Sequence, residues 1–282
     1  MFHEEVSNSM IFHYTSVDTL IKVLESQTLW ASDLSKMNDP KEFTTGLETL
    51  RELFAQSFPE SIDWFDYNRF VGSENQQLIL GCSFSNEPDD LSQWRAYGDD
   101  GCGVVIGIDK DTLCSHNTMT IPRFYKEDEK AVSYVNFFNV IYSKTELVTK
   151  ANQLFSSAGD FANDHVEGFN LSLGISRLAC SYKSDFYRSE SEIRAIIEHS
   201  KSPELYLEQD LKDKRLFDLN FRTSKFGLVP YCNLKLGPKE HSSIKQIVLG
   251  PKCNVTKEDL SFMLMAIGYE SVQIRESEGN YR

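Results

Sequence analysis

Alternation and helical spacing divide the chain into short apolar runs separated by polar turns. Met10 to Tyr14 (MIFHY) is the first such run. Ser16 follows it as a helix cap before Leu20, Val23 and Leu24, which recur at helical spacing, so the pattern predicts strand, cap, helix. Thr28 to Ser32 predicts a second strand. Asn38-Asp39-Pro40 predicts a turn in which Asp39 caps a helix over Lys41 to Phe54, and Leu78 to Phe84 reads as a buried strand. Residues 55 to 78 carry no clear period. Gly98, Gly101 and Gly103 around Asp99 and Asp100 predict a tight turn into a core strand, Val104 to Ile108. Because this turn precedes a strand instead of opening a helix, it is not a dinucleotide fingerprint.

Further along, a strand is expected around Arg123-Phe124-Tyr125 and a helical insertion over about 134–180. One strand is expected from Asn220 to Leu234, with Pro230 marking an edge or bulge. Ile244 to Leu249, Thr256 to Ile267 and Val272 to Ile274 predict strand, helix and strand. No internal repeat or low-complexity linker divides the chain, which therefore reads as a single α+β domain over 1–282.

The candidate chemistry concentrates in Ser181 to Ile197. With Ile193 to Ile197 as a strand, Glu192 and Arg194 share one face while Ile193, Ala195 and Ile197 share the other. That is either a solvated edge carrying an ion pair or a working polar face on a core strand. His13, Tyr14 and Thr15 fall at the end of the first strand, where side chains can meet an anionic or ribose-bearing ligand; His13 as a hydrogen-bonded core residue is the plainer alternative. Trp94, Arg95 and Tyr97 arrive together before the glycine turn. They could clamp a phosphate and stack on a base, or simply end an amphipathic helix.

Composition narrows the partners. At 40% hydrophobic residues, with 19 Phe and 12 Tyr, the chain has enough apolar material to exclude disorder as its dominant state. A net charge of −13 disfavours gripping long nucleic acid through many phosphates, although Arg215 to Lys252 is a local basic run, with seven Lys and Arg against Asp218 and Glu240. Six cysteines without a C-x-x-C pair or zinc-finger spacing point to buried free thiols. Asp39, Glu42, Asp99 and Asp100 match no known metal loop, so no metal is expected. The N-terminal stretch lacks a secretion pattern and no apolar run reaches membrane-spanning length, which predicts a cytoplasmic protein without membrane contact.

Several stretches together carry a resemblance: FHYTS (12–16), LWASDLSKMNDPKE (29–42), CSFS (82–85), LSQWRAYGDDGCGVVIG (91–107), the Glu-x-Glu-x-Arg segment from Lys183 to Arg194, and IKQIVLGPK near the end. They resemble a bacterial family known chiefly as a domain of unknown function, over nearly the whole chain. More distantly, the chain is similar to ADP-ribosyltransferases of the His-Tyr-Glu type, including toxins and phage-defence enzymes. That resemblance implies a split mixed β-sheet with flanking helices and NAD as the substrate. It implies Glu192 as the catalytic carboxylate and Glu190, two residues earlier on the same face, as the group that orients or deprotonates the acceptor. His13, with Tyr14 beside it, would hold the adenine ribose, Thr15 or Ser16 would add hydrogen bonds, Arg95 would neutralise the pyrophosphate, and Tyr97 or Trp30 would stack on nicotinamide. The acceptor would be a nucleic acid or a protein, met through Arg215 to Lys252, with an antitoxin or chaperone as regulatory partner. The alternative is a non-catalytic nucleotide- or partner-binding module on the same fold. On the enzymatic reading, Glu192→Gln is expected to abolish NAD-dependent labelling while leaving folding intact.

Overall fold

The computed structural model describes residues 9–36, 41–65, 77–121, 130–200, 219–225 and 227–279. Strand β1 (Met10–Thr15) leads into α1 (Val17–Ser26), whose first turn is capped by the Ser16 hydroxyl accepting from the Thr19 amide. Next come β2 (Thr28–Asp33), helices α2 (Lys41–Ser57) and α3 (Ile62–Phe65), and β3 (Gln77–Ser85). Asp90 caps the short α4 (Leu91–Ala96), and the glycine turn feeds β4 (Val104–Asp109) and α5 (Lys110–His116). The chain continues through β5 (Thr118–Ile121), β6 (Lys130–Ser133), β7 (Asn136–Asn139), α6 (Lys144–Ser156), α7 (His165–Cys180) and β8 (Glu192–Ser200). It ends with β9 (Asn220–Ser224), β10 (Gly227–Lys235), β11 (Ile244–Leu249), α8 (Lys257–Ile267) and β12 (Gln273–Glu276).

Ten strands form one mixed sheet among the described residues, so the fold is α+β. Its order is β12-β11-β4-β1-β3-β2-β10-β9, with β8 on β3 and β7 on β8. The β11–β12 pair is parallel, as the α8 crossover between them requires, and the other pairs are antiparallel. The sheet forks at β3. One edge of β3 pairs with β8 along its whole length, from Gln77–Ser200 to Ser85–Glu192. The opposite edge is shared: β2 pairs at Leu80 and Gly81, whereas β1 pairs only at Ser85. Over Cys82, Ser83 and Phe84 both neighbours diverge, and a fissure opens between β1 and β2.

Two large apolar cores and two smaller clusters support this arrangement among the described residues. The sheet core gathers Ile11, Leu20, Leu24, Leu80, Ile106, Ile193, Ile197 and Leu234 with the capped helix α8. A second core holds Leu50, Phe54, Leu147, Phe155, Leu171 and Ile175 between α2, α3, α6 and α7. The helical lobe is therefore assembled from two separated stretches of chain, not from one insertion over 134–180, and residues 136–139 within that stretch are strand β7 on the sheet. The reason is long-range packing: α2 and α6 bury their apolar faces against α7, which no local period reveals.

Other expectations shift as well. Asn220 to Leu234 is a hairpin, β9 and β10, turned through Gly227 at φ +97°; Pro230 stands opposite Phe221. All six cysteines are free; Cys82, Cys180 and Cys232 are buried, but Cys102 is exposed. The expected turn at Asn38-Asp39-Pro40 and the strand at Arg123-Phe124-Tyr125 lie outside the described residues. Among those described, no helix is long and apolar enough to cross a membrane.

At the start of β4, Gly103 sits where a Cβ would lie 2.2 Å from the Thr15 carbonyl oxygen and 2.8 Å from that of Gly98. Both obstacles are backbone, so neither can rotate away. Gly103→Ala is expected to destabilise the chain by about 3 kcal/mol, read from urea unfolding. An unchanged midpoint would contradict this close approach of the β1 terminus to the glycine turn.

Candidate active site

The fissure is the mouth of a cleft of about 1030 Å³. Its walls include His13 and Tyr14 from β1, Trp30 and Ser32 from β2, Ser83 from β3, Gln93 in α4 and Tyr97 at its end, Lys183 and Glu190 from the approach to β8, Glu192 and Arg194 from β8 itself, and Arg222 from β9. The size fits a small-molecule site.

Alternation along β8 turns Glu192 and Arg194 toward the cleft and sends Ile193, Ala195 and Ile197 into the sheet core. Both polar residues are only 6% exposed, so each charge needs close partners. Arg194 grips Glu192 with two bonds, Nε to Oε1 at 2.7 Å and Nη2 to Oε2 at 3.1 Å. Its Nη1 donates to the Cys180 carbonyl at 2.6 Å. Ser83 Oγ donates to Glu192 Oε1 at 2.7 Å, and Lys183 Nζ reaches Oε2 at 3.3 Å. The Tyr142 hydroxyl accepts from the Glu192 amide. Burial alone pushes the Glu192 carboxyl up, but Arg194, Lys183 and Ser83 overcome it and bring it down to about 2. Glu192 is therefore ionised at neutral pH.

Glu190 reaches the same cleft by a different route. It ends a 3-10 turn spanning Asp185–Glu190, and Ser191 follows in the left-handed region at φ 43°, so Glu190 is not part of β8 and does not share a strand face with Glu192. Its Oε2 accepts from Lys183 and its Oε1 from the Tyr97 hydroxyl at 3.2 Å. Gln93 and Ser85 hold its backbone carbonyl at 3.0 and 3.1 Å. The Tyr97 hydroxyl is raised to about 12 by burial and by Glu190, and so remains a proton donor at neutral pH.

Across the fissure, His13 Nδ1 lies 3.0 Å from the Ser83 carbonyl, and a carbonyl can only accept. Nδ1 therefore carries the proton. Burial lowers the His13 pKa from its ordinary value, which leaves a neutral ring with a lone pair on Nε2. The imidazole takes up a carbonyl on the stretch of β3 where both neighbouring strands have peeled away. Tyr14 packs edge-on to Trp94 at 5.0 Å and donates its hydroxyl to the Glu87 carbonyl at 2.8 Å.

The structure thus brings His13, Tyr14, Tyr97, Trp30, Glu190 and Glu192 to one cleft. It does not bring Arg95, which sits on the exposed end of α4 and is not among the lining residues. Thr15 is buried beside Gly103, and the Ser16 hydroxyl is engaged as the α1 cap, so neither lines the cleft. The basic run from Arg215 to Lys252 does not form one patch where it is described: β10 and β11 are separated in the sheet by β4, β1, β3 and β2, and Lys252 pairs with Asp100. Residues 201–218, including Arg215 and Asp218, lie outside the described residues. Among the described residues no cluster of three or more His, Cys, Asp or Glu is arranged to hold a metal. Lys183, Ser83 and Arg222 are cleft residues that local sequence patterns did not single out. Strand alternation around Arg222 was the one available signal.

Residues 93–195 match the profile of a family described as "Protein of unknown function (DUF2971)". That span runs from α4 to β8 and carries Tyr97, Lys183, Glu190, Glu192 and Arg194, whereas His13, Trp30 and Arg222 fall outside it. No curated protein and no solved structure matches the chain.

The charge cluster makes stability pH-dependent. Because the Glu192 carboxyl lies near 2 when folded against an ordinary 4.5, its stabilisation is complete above about pH 4.5 and disappears as pH falls toward 2. The urea midpoint is expected to drop across that interval. Glu192→Gln flattens the drop and costs about 3 kcal/mol at pH 7, because Arg194 is left buried without its carboxylate. This replaces the expectation that the substitution leaves folding intact; a variant as stable as wild type would contradict the pairing.

Proposed function

We propose that the cleft binds NAD and transfers its ADP-ribosyl group to an acceptor. The observation that supports this reading is the placement of His13 from the first strand and Glu192 from β8 on the walls of one dinucleotide-sized fissure, with Tyr97 and Glu190 beside them. In the proposed reaction the bond between nicotinamide nitrogen and ribose C1′ breaks, and nicotinamide leaves with the bonding pair. The cationic character that develops on the ribose is stabilised by an anionic carboxylate fixed in advance. Glu192 is that carboxylate, held ionised by Arg194 and Lys183. The acceptor atom bonds to C1′ and gives its proton to Glu190, whose Oε1 has Tyr97 as a donor but retains acceptor capacity. His13 Nε2 accepts from a ribose hydroxyl.

One feature governs how Glu192 meets substrate. Its two oxygens already accept four bonds, from Ser83, Arg194 twice and Lys183, which fills their lone-pair positions. A substrate hydroxyl reaches Glu192 only when the longest of these, from Lys183, is released toward Glu190. The same saturation favours a second reading, a nucleotide-binding module in which Glu192 is purely structural. Under the enzymatic reading the acceptor is a nucleic acid or a protein, and the setting is a cytoplasmic toxin or anti-phage effector restrained by an antitoxin or chaperone.

Release of nicotinamide from labelled NAD separates the two readings. Glu190→Gln, which spares the Glu192–Arg194 pair, is expected to cut turnover by about 100-fold while NAD binding persists. NAD binding without release by the wild-type chain would instead establish the binding module.

A further inference from the structure

One lining residue of the cleft, Arg222, is a cation with unfilled donor capacity among the described residues. Among the described residues, Arg222 on β9 has its Nε buried and without a hydrogen-bond partner, and its Nη2 makes one long contact of 3.4 Å to Ser32 Oγ on β2. No carboxylate pairs with it among the described residues. A guanidinium presents five N–H donors in a planar fork, and a buried donor left unmatched is costly. This is the state expected of a group that waits for an anion. Its contrast is Arg194, whose fork is closed on Glu192.

An aromatic surface adjoins it. Trp30 lies two residues before Ser32 on β2, hence on the same face, and also lines the cleft. Its ring stands against Tyr231 of β10 with centroids 4.5 Å apart, yet Trp30 remains 52% exposed. Tyr231 is directly opposite Ser32 in the ladder, and Arg222 is opposite Val229. Aromatic ring, hydroxyl and guanidinium therefore share one face of β2, β10 and β9, and through the Ser32–Gly81 pair it is the same sheet face that carries Ser83 and Arg194.

From this we infer that the β2–β10–β9 face is a nucleoside-diphosphate subsite: Arg222 and Ser32 hold phosphoryl oxygens and Trp30 stacks on the base. The planar fork suits paired oxygens on a phosphate, and ring-on-base stacking tolerates any base. The inference deepens the proposed function and rests on it for the identity of the ligand. It gives the diphosphate to Arg222 instead of Arg95 and gives Trp30 to the base instead of nicotinamide, leaving Tyr97 at the carboxylate wall.

Calorimetric binding of ADP and of adenosine to the full chain tests it. Wild type is expected to prefer ADP. Arg222→Ala weakens ADP by about 10- to 100-fold and leaves adenosine unchanged, whereas Arg222→Lys, which retains charge without the fork, falls between. Trp30→Ala weakens both ligands by about 10-fold, and Arg95→Ala changes neither. Thermal melting of each variant separates lost binding from lost folding. ADP binding that is indifferent to Arg222→Ala in a folded chain overturns the subsite even where nicotinamide release persists, and so does a wild-type chain that binds no ADP. Arg222-dependent ADP binding without nicotinamide release keeps the subsite and removes the transferase reading.

Discussion

A guanidinium on a core strand cannot be left alone, and much of the site follows from how Arg194 is neutralised. It closes on Glu192 of its own strand face, two residues away, and the carboxylate then draws in Ser83 from β3 and Lys183 from the segment after α7. Lys183 brings Glu190, and Glu190 brings Tyr97. One buried pair thus recruits side chains from four parts of the chain. Such pairs add little net stability but penalise heavily any arrangement that breaks them, so the cluster acts as a registration device for the carboxylate wall.

The cluster matters because of where the sheet fails to close. Had β1 or β2 continued along β3 past Ser85 or Gly81, the Ser83 backbone would be paired and no room would remain between them. Their divergence opens the fissure, and His13 supplies the donor that the missing ladder would have provided. The helical lobe supports this geometry from behind: Arg177 on α7 pairs with Glu198 at 2.8 Å, anchoring the helix that delivers Lys183 to the strand that carries Glu192. The carboxylate wall, where Lys183 and Arg194 balance Glu190 and Glu192, and the Arg222 side line a single volume.

What could be read from the sequence were the features with local causes. The strand–cap–helix at Met10 to Ser26 was legible because an apolar run, a serine cap and a helical period occur in succession. The shared face of Glu192 and Arg194 was legible from alternation alone. Glu190 was misplaced because the left-handed turn at Ser191 is not written in a serine. The β9–β10 hairpin was read as one strand because Gly227 was the single cue in a continuous β-like run. Ser83 and Arg222 escaped notice because their roles depend on partners 109 and 190 residues away, and the helical lobe because α2 and α7 meet only in three dimensions. Arg95 drew attention by standing between Trp94 and Tyr97, yet a short helix turns those three neighbours in different directions: Trp94 inward, Arg95 outward.

Under the proposed function, the fissure at β3 is a dinucleotide site with its ribose at the carboxylate wall. A crystal structure of the chain with a non-cleavable NAD analogue tests it most directly. The analogue is expected between β1 and β2, with its nicotinamide ribose within hydrogen-bond reach of Glu190 or Glu192 and its diphosphate on the Arg222 fork. An analogue seated elsewhere on the molecule, with the fissure filled only by water, would contradict it.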